Sequence, residues 1–281
     1  MTLSSEQFGA SSQTNAGLYK HQPYAGSIGD LWKHGVLESV LSEIPANGKP
    51  YHFVDCHAGY GVYSLRPGGR WYHGIGKLAR DRNSLLQCTT PLLRDLETFQ
   101  EKNFYEGSWA RVRYYSHKIS ELTLIDHSAA VTNHCRDLST DKVFDSLAPK
   151  VLHKDYIEAL SDIALNSETI LFFDPAFRRK DGTGCDWQRL RLLASTLKKS
   201  PASFMIWYPV YGEREPSSLI QAYGLTSFEA YWTRRKKTAF SSLGCGMLLS
   251  TDLFDLVGRD QRLQHLTEVL GLELRLRKGS P

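Results

Sequence analysis

An apolar run that stops on a carboxylate, Glu168-Thr-Ile-Leu-Phe-Phe-Asp-Pro-Ala-Phe177, carries the residues best suited to chemistry. Asp174 offers acceptor oxygens, Pro175 fixes φ and stiffens the turn, and Phe177 presents a flat face to a planar ring. Thr169 to Phe173 are apolar or β-branched without alternation, the pattern of a strand buried on both faces of a parallel sheet. Asp174 then falls at the carboxyl end of that strand, where open α/β sheets bind their ligands. Taken alone, the segment also reads as a strand-ending turn in which an aspartate satisfies backbone donors. Three further segments, Tyr51 to Asp55, Glu121 to Asp126 and Val151 to Asp155, read as strands that end in an acid. Any one such acid can be a helix cap. Four in series on parallel strands converge on one edge of a sheet.

The turn Asp55-Cys-His-Ala-Gly-Tyr-Gly61 follows the first of these strands, and its glycines let a ligand approach the backbone. Gly59 to Ser64 comes close to G-x-G-x-x-G, which raises a nicotinamide site. That site requires a second strand ending in an acid about 20 residues on. Here Arg66 to Arg70 is a turn and residues 71–107 read as helical or irregular, so the segment at about 66–107 is expected to be an inserted helical subdomain. Upstream, Leu37, Val40, Leu41 and Ile44 recur at helical spacing, with Asp30 as a cap and Lys33 and His34 in the first turn, where a solvated helix end is the ordinary reading. Downstream, Arg178 to Gly184 and Arg234 to Ser242 are basic stretches able to meet phosphate. Ser203 to Pro209 reads as a fifth strand, 227–233 and 246–250 as an antiparallel pair, and Leu272 to Arg277 alternates like an edge strand.

With 281 residues, 41% of them hydrophobic, the chain can bury one large α/β domain, expected over 18–281 behind a flexible lead at 1–17. No apolar run is long enough to span a bilayer and the first twenty residues hold no apolar signal core, so a cytoplasmic protein is expected. The five cysteines include no C-x-x-C pair, which points to reduced thiols and to no metal. A formal charge of +4 suits a phosphate-rich partner and many ordinary enzymes alike.

Asp174-Pro-Ala-Phe177 resembles the Asp/Asn-Pro-Pro-Tyr/Phe tetrad of S-adenosylmethionine-dependent methyltransferases that modify exocyclic amines of nucleobases, with Ala176 in the third place. Further stretches occur in order: Tyr19-Lys-His21, Ala25-Gly26 with Asp30 and Lys33-His34, Asp55 to Gly61, Gly74-Ile75, Gly107-Ser108, Trp207 to Val210 and Gly246-Met247. Together they resemble the 23S ribosomal RNA adenine-N6 methyltransferases of the large-subunit J type, a family also described as used in catabolism of external DNA, over nearly the whole chain after residue 17. The resemblance implies a class I S-adenosylmethionine-dependent methyltransferase, with a Rossmann-like seven-stranded mixed sheet and a helical insertion. It implies a monomer acting on the N6 amine of an adenine in 23S ribosomal RNA, adenine 2030 by the same resemblance, in protein-free or early-precursor form.

By that resemblance Lys33, His34, His57, Gly59, Ser108, Asp126 and Asp155 contact the cofactor, while Asp174, Pro175 and Phe177 carry catalysis. Tyr19, Lys20 and His21 form a mobile segment that closes over the target base. Trp109 stands where the family usually has proline, Asp126 where it has glutamate, and Tyr156 where glycine is common. A non-catalytic nucleic-acid-binding protein involved in use of external DNA is the alternative reading.

Overall fold

The computed structural model describes residues 21–46, 48–80, 90–139, 147–177, 187–211, 214–232, 242–258 and 261–279. The expected lead at 1–17, together with Tyr19 and Lys20, lies outside them, as do Arg178 to Gly184 and nearly all of the second basic stretch. In chain order the strands are β1 (Tyr51–Asp55), β2 (Val62–Ser64), β3 (Phe104–Glu106), β4 (Ile119–Asp126), β5 (Lys150–His153), β6 (Thr169–Phe173), β7 (Ser203–Val210), β8 (Thr226–Trp232), β9 (Gly244–Leu249) and β10 (Leu272–Lys278).

The main sheet runs β10-β8-β9-β7-β6-β1-β4-β5. Its β1, β4, β5, β6 and β7 are parallel neighbours, and β9, β8 and β10 close it with antiparallel pairings. The apolar β6 sits in the interior with all five residues buried, as its lack of alternation requires. From β1 the chain adds β4 and β5 on one side and β6 and β7 on the other. The strand order therefore reverses between β1 and β6, and such a switch opens a crevice at the carboxyl ends of the two strands.

Side chains alternate between two cores. One holds Phe53, Phe172 and Met205 against α1 (Ile28–Glu43), whose Val36, Leu37, Val40 and Leu41 are fully buried. Each of these four contributes roughly 1.5–3 kcal/mol by leaving water, enough to anchor the helix firmly on the sheet. The opposite face packs Val54, Leu171, Phe173 and Ile206 against the helix Trp187–Leu197.

The expected seven strands are eight. The additional one is β10, which pairs along its whole length with β8; its alternating pattern is that of an edge strand, and the count of seven came from the resemblance. Asp30 does not cap α1. Ser27 does, accepting the Asp30 N–H at 3.3 Å, which leaves the Asp30 carboxylate free for other partners. β5, expected to reach Asp155, ends at His153, and Asp155 caps the next helix, Tyr156–Leu160. Between β2 and β3 lie a short 3-10 turn (Arg70–His73), the helix Ile75–Arg80 and the helix Thr90–Lys102, and β2 and β3 pair as a small antiparallel sheet. No helix among the described residues is long and apolar enough to cross a membrane.

Candidate active site

A cleft of about 340 Å³ opens at the carboxyl edge of the parallel strands. His21, Lys33, His34, His57, Gly59, Ser108, Asp126, Asp155, Asp174 and Pro175 all line it, which brings together residues spread over more than 150 positions of sequence. Phe177 does not. Its ring packs edge-on against Trp187, with centroids 5.4 Å apart, and Trp207, at 6.2 Å.

The first turn of α1 supplies one wall. Asp30, Lys33 and His34 stand three and four residues apart, so they share a face, and that face points inward: all three are at most 4% exposed. The reading of a solvated helix end fails here. Lys33 Nζ donates to Asp174 Oδ2 at 2.5 Å and lies 2.9 Å from Asp30 Oδ1. Burial opposes its charge, but Asp174 and Asp30 outweigh burial and hold the ammonium well above the usual lysine range. Burial likewise works against Asp30, yet His21, whose Nε2 is 2.9 Å away, together with Lys33 and His34, keeps its carboxyl well below the ordinary range. Burial, with Arg111 and Lys33, pushes His34 well below the usual histidine range, and as a neutral ring it pairs through Nδ1 with the Tyr105 hydroxyl at 2.7 Å.

The end of β1 supplies the floor. Asp55 is fully buried; it accepts the His57 N–H at 3.1 Å and the Ser108 hydroxyl, which ties the turn to the helix Ser108–Val112. Burial, only partly offset by those hydrogen bonds, raises its carboxyl to about 7. His57 is depressed by burial to about 4 in spite of Asp174, so its ring is neutral near pH 7. Its Nδ1 is buried in the cleft wall without a hydrogen-bond partner. An orphaned ring nitrogen of this kind is suited to a ligand that brings the missing partner.

Asp126, at the end of β4, accepts the Gly59 N–H at 3.2 Å and the Ser128 N–H at 2.8 Å, one on each oxygen. Each oxygen retains acceptor capacity toward the cleft. Asp155 accepts the Ile157 N–H at 2.9 Å as a cap and meets Arg189 at 3.3 Å. The two glycines of the turn have left-handed backbones, with φ +58° at Gly59 and +71° at Gly61. A Cβ on Gly59 would come 2.4 Å from the Tyr63 hydroxyl, and one on Gly61 2.2 Å from the Trp109 indole. Their bareness is thus consumed by the protein's own aromatic rings.

Sequence reasoning missed Asp55 as a buried anchor, Asp30 as an ion-pair partner, and Tyr63, Tyr105 and Arg189. Asp30 carried one signal, its i, i+3 and i, i+4 relation to Lys33 and His34. Asp55 and Tyr63 lie in or beside the glycine turn, whose pattern does not show their burial, and Tyr105 and Arg189 come from elements that only the fold brings near.

No family model matches the chain. Ribosomal RNA large subunit methyltransferase J of Escherichia coli strain K12 is 26% identical over 97 residues, which are 32% of this chain and 35% of that protein. The crystal structure of protein LPL1258 from Legionella pneumophila str. Philadelphia 1, of family-model DUF519, superposes with a TM-score of 0.69 at 19% identity, covering 92% of this chain and 99% of that one. At that identity the likeness shows the fold alone. Magnesium protoporphyrin IX methyltransferase of Synechocystis PCC 6803, solved with bound SAM, is far more distant, with a TM-score of 0.40 and 9% identity over 79% of this chain and 81% of that one.

Proposed function

We propose that this chain is an S-adenosylmethionine-dependent methyltransferase that acts on the N6 amine of an adenine in large-subunit ribosomal RNA. The observation that carries the reading is Asp174-Pro175 at the strand-order switch, opening into the same cleft as Asp126, Ser108 and the unpartnered His57 Nδ1. The partial likeness to an RNA large-subunit methyltransferase supports it. The donor set suits the cofactor: carboxylate oxygens at Asp126 and Asp155 can accept hydroxyl or amine protons, and His57 has a ring nitrogen to satisfy. S-adenosylmethionine, when bound, supplies an electrophilic methyl group.

The chain's own residues then have to present an amine. Asp174 and the Pro175 carbonyl each accept one N6 hydrogen, which turns the nitrogen lone pair out of the ring plane. Lys33 holds one Asp174 oxygen, so the amine takes the other. Asp174 takes up the proton that N6 gives up on methylation. Orientation accounts for most of the acceleration. An adenine that reaches this depth must leave its stack, and Phe177 can meet it only by turning away from Trp187 and Trp207.

The test is transfer of labelled methyl from S-adenosylmethionine to unmodified large-subunit RNA, followed by digestion to nucleosides. The product expected is N6-methyladenosine, and Asp174→Asn lowers the rate at least about a hundredfold while cofactor binding persists. Undiminished transfer by that variant would overturn the mechanism, and a different methylated nucleoside would overturn the substrate.

A further inference from the structure

The turn and helix at Arg66–Arg80 form a surface whose composition the cleft does not use. No Asp or Glu occurs between Asp55 and Asp81, while Arg66, Arg70, Lys77 and Arg80 fall within fifteen positions together with Trp71, Tyr72 and His73. Arg66, Tyr72, His73, Lys77 and Arg80 are exposed. Tyr72 is 52% exposed, and its ring meets the partly buried Trp71 edge-on with centroids 6.0 Å apart. Arg80 sits 3.9 Å over that ring and donates to the Tyr72 carbonyl at 2.8 Å, and Arg70 lies 4.8 Å over Tyr24.

Most other arginines among the described residues meet acids, although Arg136 donates to Asn133 and the Val151 carbonyl and Arg191 to Ser218. Arg94, Arg111, Arg113, Arg189, Arg262, Arg275 and Arg277 are each ion-paired. Among the described residues, none of the four cations at 66–80 meets a carboxylate. Their charge is left to solvent, and two of them, Arg70 and Arg80, lie on aromatic rings instead.

The surface is also anchored beside the cleft. Backbone hydrogen bonds join Arg70 to Pro23 at 2.8 Å and Ile75 to Gly26 at 3.0 Å, and a Cβ on Gly74 would come 2.0 Å from the Gly26 carbonyl, so the two segments are pressed together. The strip 21–26 begins at His21, in the cleft wall, and passes Tyr24, under Arg70.

We propose that Arg66, Arg70, Lys77 and Arg80, with Tyr72, form a docking surface for unpaired RNA that flanks the target nucleotide. This deepens the reading of the cleft as an RNA-modifying site and rests on it. Cations tracking a backbone between exposed aromatic rings are what single-stranded nucleic acid requires: phosphate neutralisation from the former, base stacking from the latter. A base stacked on Tyr72 meets a ring already backed by a guanidinium, which strengthens the stack. A duplex hides its base faces and offers such a ring nothing to stack on.

The experiment measures binding of the full chain to an unpaired RNA oligomer of large-subunit sequence and to the same sequence annealed to its complement, by fluorescence anisotropy over a salt series, with cofactor titration and methyl transfer in parallel. Arg66→Glu/Lys77→Glu is expected to weaken binding of the unpaired RNA at least about tenfold and to flatten the salt slope by about 1.4, or 0.7 per lost phosphate contact. Tyr72→Ala is expected to weaken it about fivefold or more, with the slope kept. The charge-matched control Lys198→Glu/Lys199→Glu, just past the helix on the opposite face of the sheet, is expected to leave both unchanged.

Equal losses in the control, unchanged binding in both 66–80 variants, tighter binding of the duplex, or no RNA binding by the parent would each overturn the docking surface. Loss of RNA affinity in the variants of a parent that transfers no methyl would leave the surface standing and remove the methyltransferase reading. Parental transfer to RNA with variant affinities unchanged would do the reverse.

Discussion

Replacing Lys33 by methionine tests the buried ion pairs of the cleft wall. One ammonium serves two carboxylates, 2.5 Å from Asp174 and 2.9 Å from Asp30, with its side chain 4% exposed. The two acids differ in what remains to them. Asp174 keeps 20% of its side-chain surface and can be rehydrated, whereas Asp30 keeps 6% and retains the His21 contact. Losing one partner of a buried pair costs about 3–5 kcal/mol, because the surviving charge stays out of water. Lys33→Met should therefore cost about 3 kcal/mol, the lower figure reflecting the His21 contact. Asp174→Asn leaves the Lys33 to Asp30 pair in place and should cost only about 1 kcal/mol. Urea unfolding read by circular dichroism, with the slope m unchanged between proteins, gives both values. Equal costs for the two variants, within about 0.5 kcal/mol, would refute the argument, since the asymmetry follows from which carboxylate is stranded.

Gly61→Ala places a Cβ 2.2 Å from the Trp109 indole at φ +71°, and should lose about 2–4 kcal/mol in thermal unfolding, with part regained when Trp109 is also shortened. Asp55 is protonated to higher pH in the folded than in the unfolded chain, about 7 against 3.8, so the folded state binds more protons and stability falls as pH rises across that window, by about 4 kcal/mol in full. Asp55→Asn should flatten that decline in unfolding series from pH 4 to 8. His57→Phe, which removes the unpartnered nitrogen but keeps a flat ring, should weaken S-adenosylmethionine binding about tenfold in calorimetric titration, and parental binding should fall only as pH drops through about 4, where the ring gains its proton.

How far the sequence reached depends on range. β1 and β6 were readable to the residue: β6 is an unbroken apolar and β-branched run, and β1 is a short aromatic and β-branched run that ends at the glycine turn. α1 was legible from its aliphatic spacing, yet its first turn was misjudged: a pattern of types cannot tell that an acid 141 positions along the chain will arrive beside Lys33. The β2–β3 pair was missed for the same reason, since three residues in each strand give no periodicity and their partners are about 40 positions apart. The helix Arg214–Tyr223 and the helix Thr251–Val257 were also passed over. Asp155 was placed at a strand end when its backbone is that of a helix cap, a distinction of two residues that no side-chain pattern encodes. Strand-end acids were legible as a set because a parallel sheet aligns its carboxyl ends whatever lies between the strands.

The outermost strands of the sheet bear on how the chain behaves in company. β10 alternates Glu273, Arg275 and Arg277 with its leucines and ends in Lys278, while β5 is four residues long with Lys150 and His153 exposed at its ends. An added strand would have to set its own backbone against these charges or find only a short ladder to extend. The sheet is thereby guarded at both margins against edge-to-edge pairing of one copy with another.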